Sequence, residues 1–363
     1  MKNKLSSLMI SAPNQNPGLL IVHGNGITEV VDRKRTTGYT VHGDKLYRSI
    51  QHQNFCEIQL IKKNRSMSYI FNDLKDIHDI KIINDKLYIV STGTNEIAIF
   101  DLNLNLIDVK KFPGNGDAWH INCLVQVNDI VCVTAFCAST EHYAYKGKTK
   151  NSGFLIDIES RKVLIDKLSQ PHSPLVIDNM LVICDSETER LLVYDDFRLA
   201  KKIDLGGYAR GLSFDKHYIF VGLSKSRNAS CLAHGSAKII ILDRATFKVL
   251  DGIELPCDEI YQISNFDICN LDIKRLNFFN LYDQSDVDRS LRDATTKIDK
   301  ELEQAKRGLQ AKDKELEQTK QGLQAKDKEL EQIKRELIAM HLTSSWKMTR
   351  PLRKAKSMFR LIK

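Results

Sequence analysis

A β unit recurs through the first three-quarters of the chain, and this recurrence limits the available folds more than any other feature. In each copy a turn pair leads into a four- or five-residue apolar strand, then a polar turn, then a second strand ending near Asp. The fullest copy runs Asn84–Val90, Ser91–Asn95 and Glu96–Asp101. Others lie at Asp44–Tyr47, Asn128–Val133, Asp178–Ile183 with Arg190–Asp195, and Asp215–Val221 with Lys238–Asp243. Aligning Leu46, Leu87, Val131, Leu181 and Ile219 gives steps of 41, 44, 50 and 38 residues. A self-similar strand unit of roughly 40–45 residues marks a propeller blade. Stacked helix pairs are excluded, because the runs are β-branched and bounded by turn residues. The spacing predicts an all-β, six-bladed β-propeller over residues 1–270, or seven blades if one N-terminal unit is split. Leu8–Ser11 and Leu19–Val31 would share the last blade with Asp258–Ser264, closing the ring and removing exposed sheet edges.

A different pattern begins near residue 285. Lys300–Asp313 and Lys314–Asp327 are near-identical 14-residue copies, with a degraded third from Lys328. Leu302, Leu309, Leu316, Leu323, Leu330 and Leu337 fall every seventh residue. That spacing predicts an α-helical coiled coil over 285–341, with these leucines at position a. Ala305, Lys312, Thr319, Lys326, Ile333 and Met340 then occupy d, a weaker seam. Gly308 and Gly322 each cost about 1 kcal/mol of helix stability, so the helix calls for self-association. The alternative is a solvated single helix held by Glu–Lys pairs.

Residues 342–363 form a third region, a basic amphipathic tail. The chain's net charge of +8 resides there: the last 23 residues carry +7 and the helix none, leaving about +1 for residues 1–284. Met348, Leu352, Ala355, Phe359 and Ile362 make one helical stripe, with Arg350, Arg353, Lys354, Lys356 and Arg360 on the other faces and Trp346 just before. Thr349 is placed to cap this helix, with Pro351 in its first turn. Such a helix suits the headgroup layer of an anionic membrane, and an acidic protein partner is the alternative. Nucleic acid is disfavoured, because the apolar face is sizeable and the body adds almost no positive field. No apolar run approaches the roughly 20 residues of a membrane span, and Met1–Ile10 lacks a signal-peptide core. Eight cysteines without a short-spaced framework read as reduced, packed thiols. The expected location is cytoplasmic, peripheral at the inner face of the membrane.

Six motifs occur in a fixed order: Asp117-Ala-Trp-His-Ile-Asn-Cys-Leu124, Leu168-Ser-Gln-Pro-His-Ser-Pro174, Cys184-Asp-Ser186, Tyr208-Ala-Arg-Gly-Leu-Ser-Phe214, Phe220-Val-Gly-Leu-Ser-Lys-Ser-Arg227 and Asp258-Glu-Ile-Tyr261. Together they resemble an uncharacterised bacterial propeller family, a conserved domain of unknown function, across about residues 5–265. The resemblance implies a fold and no reaction. The chain departs from the family pattern in having Leu175 after Pro174, where arginine is common, and in lacking a Gly after Ser186. Separately, Ser344-Ser-Trp-Lys-Met-Thr-Arg-Pro-Leu-Arg353 after a heptad helix resembles a segment of bacterial glycosyltransferases and methyltransferases of O-antigen and surface-polysaccharide assembly. That likeness implies a glycosyltransferase or methyltransferase partner.

Residues just before the first strand of each blade gather at one mouth of the axial channel. Counting back nine residues from the aligned strands, ten in the last, gives Thr37, His78, Asn122, His172 and Ala209, with His120 and Arg210 beside them and Glu259 and Tyr261 on the closing strand. Imidazoles with a carboxylate suit a small ligand or a divalent metal ion. The plainer reading is that they cap strands. The residues name no cofactor. Lys225 and Arg227 could hold an anion in a blade loop. Ser186 lacks a nucleophile-elbow context, and Cys132 and Cys137 read as buried thiols. The expectation is a non-catalytic binding or scaffold protein of surface-polysaccharide biosynthesis. The alternative is a hydrolase or isomerase acting on a glycan or nucleotide sugar.

Overall fold

A computed structural model describes residues 5–13, 18–53, 55–62, 65–224, 236–266, 284–342 and 344–360, with side chains in the helical part for 301–340 and 347–357. The chain divides into two units, Met1–Leu281 and Tyr282–Lys363. Lys225 and Arg227 lie outside the described residues.

The first unit is a six-bladed β-propeller of four-stranded antiparallel sheets. Five blades are sequential: β4 (Thr36–His42) to β7 (Arg65–Phe71), β8 (Ile77–Ile83) to β11 (Leu106–Lys111), β12 (Leu124–Val127) to β15 (Val163–Leu168), β16 (Pro171–Ile177) to β19 (Arg198–Asp204), and β20 (Tyr208–Phe214) to β23 (Val249–Glu254). The sixth joins the two ends of the unit. Here β24 (Gln262–Asn265) pairs with β1 (Leu8–Ser11), followed by β2 (Leu19–Val22) and β3 (Thr28–Asp32). Leu8 stands opposite Asn265 and Ser11 opposite Gln262. Neighbouring first strands touch in turn around the axis, and β24 meets β4.

The repeated turn pairs supply the hairpins. Asn84 and Asp85 (φ +49° and +58°) and Asp178 and Asn179 (+50° and +64°) take the left-handed conformation. Two such residues make the turn whose twist matches paired strands, and Asn and Asp accept it readily. The second and third strands are apolar on both faces because each blade is covered on both sides. In β9 (Lys86–Ser91), Leu87 and Ile89 pack toward Tyr47 and Ile58 of the preceding blade. Tyr88 and Val90 pack toward Leu124 and Val133 of the next. Alternation along one strand thus feeds two separate layers, and each fully buried Ile or Leu contributes roughly 1.5–3 kcal/mol. The six described cysteines are buried, unbridged thiols, and burial raises Cys132 and Cys257 to about 12.

The second unit contains two helices, α1 (Gln284–Leu342) and α2 (Ser344–Arg360). Helix α2 begins before the expected cap, so Thr349 and Pro351 lie inside it. No Gly or Pro interrupts Ser344–Met348, and the helix accepts one missing main-chain bond at Pro351. Among the described residues no helix is long and apolar enough to cross a membrane.

Candidate functional site

The first strand of a blade begins at the mouth of the axis, and four of these strands break register near that end. The breaks fall between Thr36 and Tyr39, Ile77 and Asp79, His172 and Leu175, and Ala209 and Leu212. A bulge inserts a residue and turns side chains out of strict alternation. His78 and Arg210 lie inside such breaks and His172 at the edge of one. Local strand irregularity thus aims these side chains at the channel.

They line a cavity of about 650 Å³, to which His78, His120, His172, Arg210, Glu259 and Tyr261 all contribute. Asn122 does not. Its side chain is fully buried, accepting from the Thr134 hydroxyl at 2.7 Å and donating to the His120 carbonyl at 3.2 Å. His120 sits in the left-handed region at φ +50° just before β12, and it lines the cavity where Asn122 does not. Thr37 and Ala209 are likewise buried away from the lining, and Arg210 holds the channel position in its blade.

A series of ring contacts runs along the wall. His78 and His120 are 4.8 Å apart edge to face, His120 and Phe136 4.2 Å, Phe136 and His172 5.2 Å, and His172 and Tyr208 5.8 Å. Tyr261 returns to His78 at 5.4 Å. Phe136, Tyr145, Tyr208 and the carboxylates Asp76, Asp117 and Glu187 were not assigned from sequence. The 50-residue step around Val131–Leu181 signals the extra connection that carries Tyr145.

Each histidine is fixed through one nitrogen. Nδ1 of His120 lies 2.9 Å from Asp117 Oδ2, which also accepts from the Tyr145 hydroxyl at 2.8 Å. Nδ1 of His172 donates to the Gln170 carbonyl at 3.0 Å and sits 2.9 Å from Ser186 Oγ. Ser186 donates onward to the Ala209 carbonyl, so it is a strut. Nε2 of His78 meets the Tyr261 hydroxyl at 3.1 Å and Asp76 at 3.3 Å. Burial lowers the pKa of His120, opposed in part by Asp117. Burial, then the Arg210 charge, pushes His172 well below its usual value. Both are therefore neutral at pH 7, each with Nε2 left as an acceptor. Burial opposes ionisation of Asp76, but His78 outweighs it and holds the carboxyl below the usual range.

Arg210 is the least satisfied group in the wall. Its Nη1 donates to Glu259 at 3.2 Å, while Nε and Nη2 are buried without a partner among the described residues. Burial alone would lower its pKa; Tyr261 and Glu259 outweigh it and raise the value. A second cavity of about 480 Å³ lies further along the first strands, more apolar and lined by Leu124, Leu212 and Ile263 among others. His78 and Tyr261 border both cavities. Among the described residues no group of three His, Cys, Asp or Glu side chains is arranged to hold a metal ion. In the second unit, Arg350, Leu352, Arg353, Lys354 and Lys356 are exposed on α2, whereas the side chains of Trp346, Phe359 and Arg360 lie outside the description.

A family model, domain of unknown function (DUF4915), matches residues 45–265. No curated protein matches the chain. Among solved structures, a nidogen/laminin complex superposes with a TM-score of 0.54 at 11% identity, over 71% of this chain and 97% of that one. A protein of unknown function from Bacteroides caccae gives 0.53 at 10% identity, over 71% and 98%. At such identity these likenesses establish the fold alone.

Proposed function

The chain belongs to the DUF4915 family, and we propose that its propeller is a binding module whose axial cavity holds a small sugar-containing ligand with one anionic group, without turnover. The edge of Arg210 that has no partner among the described residues carries this reading. Nε and Nη2 lie on one edge of the planar guanidinium and point the same way, a fork matched to two oxygens of a carboxylate or phosphate. Each buried N–H left unpaired costs about 1–3 kcal/mol, which a bound anion would recover. The rest of the wall mixes donors and acceptors: Arg35 and Lys146 stand among Asp76, Glu187, Gln170 and Thr149. Such a lining suits hydroxyls better than an ion alone, and the ring faces suit a sugar's C–H surface.

Calorimetric titration with a neutral hexose, a hexuronate, a hexose phosphate and a nucleotide sugar tests this. Acidic sugars should bind, the neutral one should not, and Arg210→Lys should weaken binding at least about tenfold while keeping the charge. Failure of every acidic sugar to bind the parent protein removes the reading.

We assign the remaining regions to assembly and location. Helix α1 brings copies together through its heptad leucines, and α2 attaches them peripherally to the anionic inner face of a membrane in the cytoplasm. The likeness of Ser344–Arg353 to surface-polysaccharide glycosyltransferases and methyltransferases supports a place beside those enzymes. No nucleic-acid role is proposed. A second reading rests on the Asp117–His120 pair, a carboxylate orienting a neutral imidazole as in general-base catalysis. In that reading the cavity is a hydrolase or isomerase site for a glycan or nucleotide sugar. Product formation abolished by His120→Ala, with the fold intact, would favour it.

A further inference from the structure

The charges flanking the α1 seam follow the 14-residue repeat and distinguish between the ways two copies can pair. With the leucines at a, position g carries Glu301, Gly308, Glu315, Gly322 and Glu329, and position e carries Lys306, Asp313, Lys320, Asp327 and Lys334. We infer that α1 pairs with a second copy of itself in a parallel, in-register coiled coil, an inference resting on the self-association proposed above.

In a parallel pair each g residue faces the e residue five positions on in its partner. Glu301 then meets Lys306, Glu315 meets Lys320, and Glu329 meets Lys334 of the second copy. Wherever e is Asp, at 313 and 327, the facing g residue is Gly308 or Gly322, so no like charges meet. The two glycines that weaken the single helix thus stand where a glutamate would repel. The d-position lysines fit the same arrangement. A d side chain enters a hole bordered by the partner's e residue, so Lys312 and Lys326 reach Asp313 and Asp327 of the second copy.

The alternatives are penalised. Sliding a parallel pair by one heptad puts Glu315 opposite Asp313 or Asp327. An antiparallel pair of full overlap sets Lys306 against Lys334 and Asp313 against Asp327. Among the described residues of one chain the e lysines pair with exposed glutamates of their own helix: Lys306 with Glu303 at 3.4 Å, Lys320 with Glu317 at 3.9 Å and Lys334 with Glu331 at 2.8 Å. Such pairs contribute little and are readily exchanged. Leu302, Leu309, Leu316, Leu323 and Leu330 are each more than half exposed, giving the partner an apolar stripe to cover. In this arrangement the α2 segments of both copies follow from the same end of the coil, where two membrane contacts reinforce each other.

The test uses the full chain carrying Ala305→Cys at a d position far from the middle of the repeat, with Arg307→Cys at the outward f position as control. Mass is read by light scattering, and disulfide dimers are read after mild oxidation against the parent protein. The parallel register predicts an oligomer in which Ala305→Cys crosslinks at least about tenfold faster than Arg307→Cys, because residue 305 meets its own copy only in that orientation, an antiparallel pair setting it opposite residue 335. Equal rates in an oligomeric protein overturn the orientation and leave self-association standing, whereas a monomeric mass overturns self-association itself. As a second readout, Glu315→Lys with Glu329→Lys should weaken association at least about tenfold, and adding Lys320→Glu with Lys334→Glu should restore it. Absence of that rescue counts against the register.

Discussion

The guanidinium of Arg210 lies 3.2 Å from the centroid of the Tyr261 ring, stacked on a residue whose hydroxyl also meets His78. Tyr261 thus supports the cation and bonds the histidine bordering both axial cavities. A desolvated cation–ring contact contributes about 2 kcal/mol, and a buried hydrogen bond about 1 kcal/mol. Tyr261→Phe should therefore cost about 1 kcal/mol in urea unfolding and leave acidic-sugar binding within a few-fold. Tyr261→Leu should cost about 2–3 kcal/mol and remove most of the binding. Equal losses for the two variants would mean that the stacking is incidental.

The neutral histidines set a pH dependence. His120 and His172 both have folded pKa values below the ordinary 6.5, because burial disfavours their charged forms. Above about pH 6.5 neither state binds the proton, and the full stability is present. As pH falls, the unfolded chain takes protons that the folded one refuses, and stability declines by up to about 1.4 kcal/mol per pH unit for each histidine. Asp76, held below its ordinary 3.8, adds a loss of the same sign at lower pH. His172→Gln, which can still donate near Gln170, should flatten the decline between pH 6.5 and 5. A decline unchanged in that variant assigns it to other groups.

The blades were legible because their second and third strands are buried on both faces, which leaves unbroken runs such as Leu87–Val90 between left-handed turn pairs. His78, His172 and Arg210 were legible for a related reason, since they hold equivalent places in repeated strands. Asn122 holds the equivalent place in its blade, but its side chain bonds Thr134 and the His120 carbonyl while His120 lines the cavity, a local bonding choice that no periodicity records. Phe136, Tyr145 and Asp117 come from connections, whose paths depend on contacts distant in sequence. Tyr208 lay within a quoted motif, but nothing in its spacing marks a ring facing the axis.

Closure of the ring makes the two ends of the propeller interdependent. Ile10 is fully buried between β24 and β2, opposite Ile263 on one side and Leu20 on the other. Ile10→Ala should cost about 2–5 kcal/mol, the range for a truncated core side chain. Removing residues 1–11 takes away β1 and leaves both β24 and β2 with open edges, exposed to pairing with other chains. That truncated protein should aggregate or lose its cooperative thermal transition. A sharp transition near the parent's temperature would mean that the sixth blade is dispensable.

Two glycines separate space from backbone conformation. A Cβ on Gly222 would overlap the Arg210 carbonyl oxygen and lie 2.9 Å from the Ile260 side chain. This glycine, within β21 (Tyr218–Ser224), faces the bulge that directs Arg210 toward the cavity. Adding a methyl group there must push β20 outward, a strain of about 1–3 kcal/mol. The displaced strand carries the arginine with it, so Gly222→Ala should lose acidic-sugar binding as well as stability. Gly43 has φ +59° and open space where its Cβ would sit. Gly43→Ala should therefore cost only about 1 kcal/mol of conformational strain and leave binding untouched. If Gly222→Ala bound as tightly as Gly43→Ala, the bulge would not be what positions Arg210.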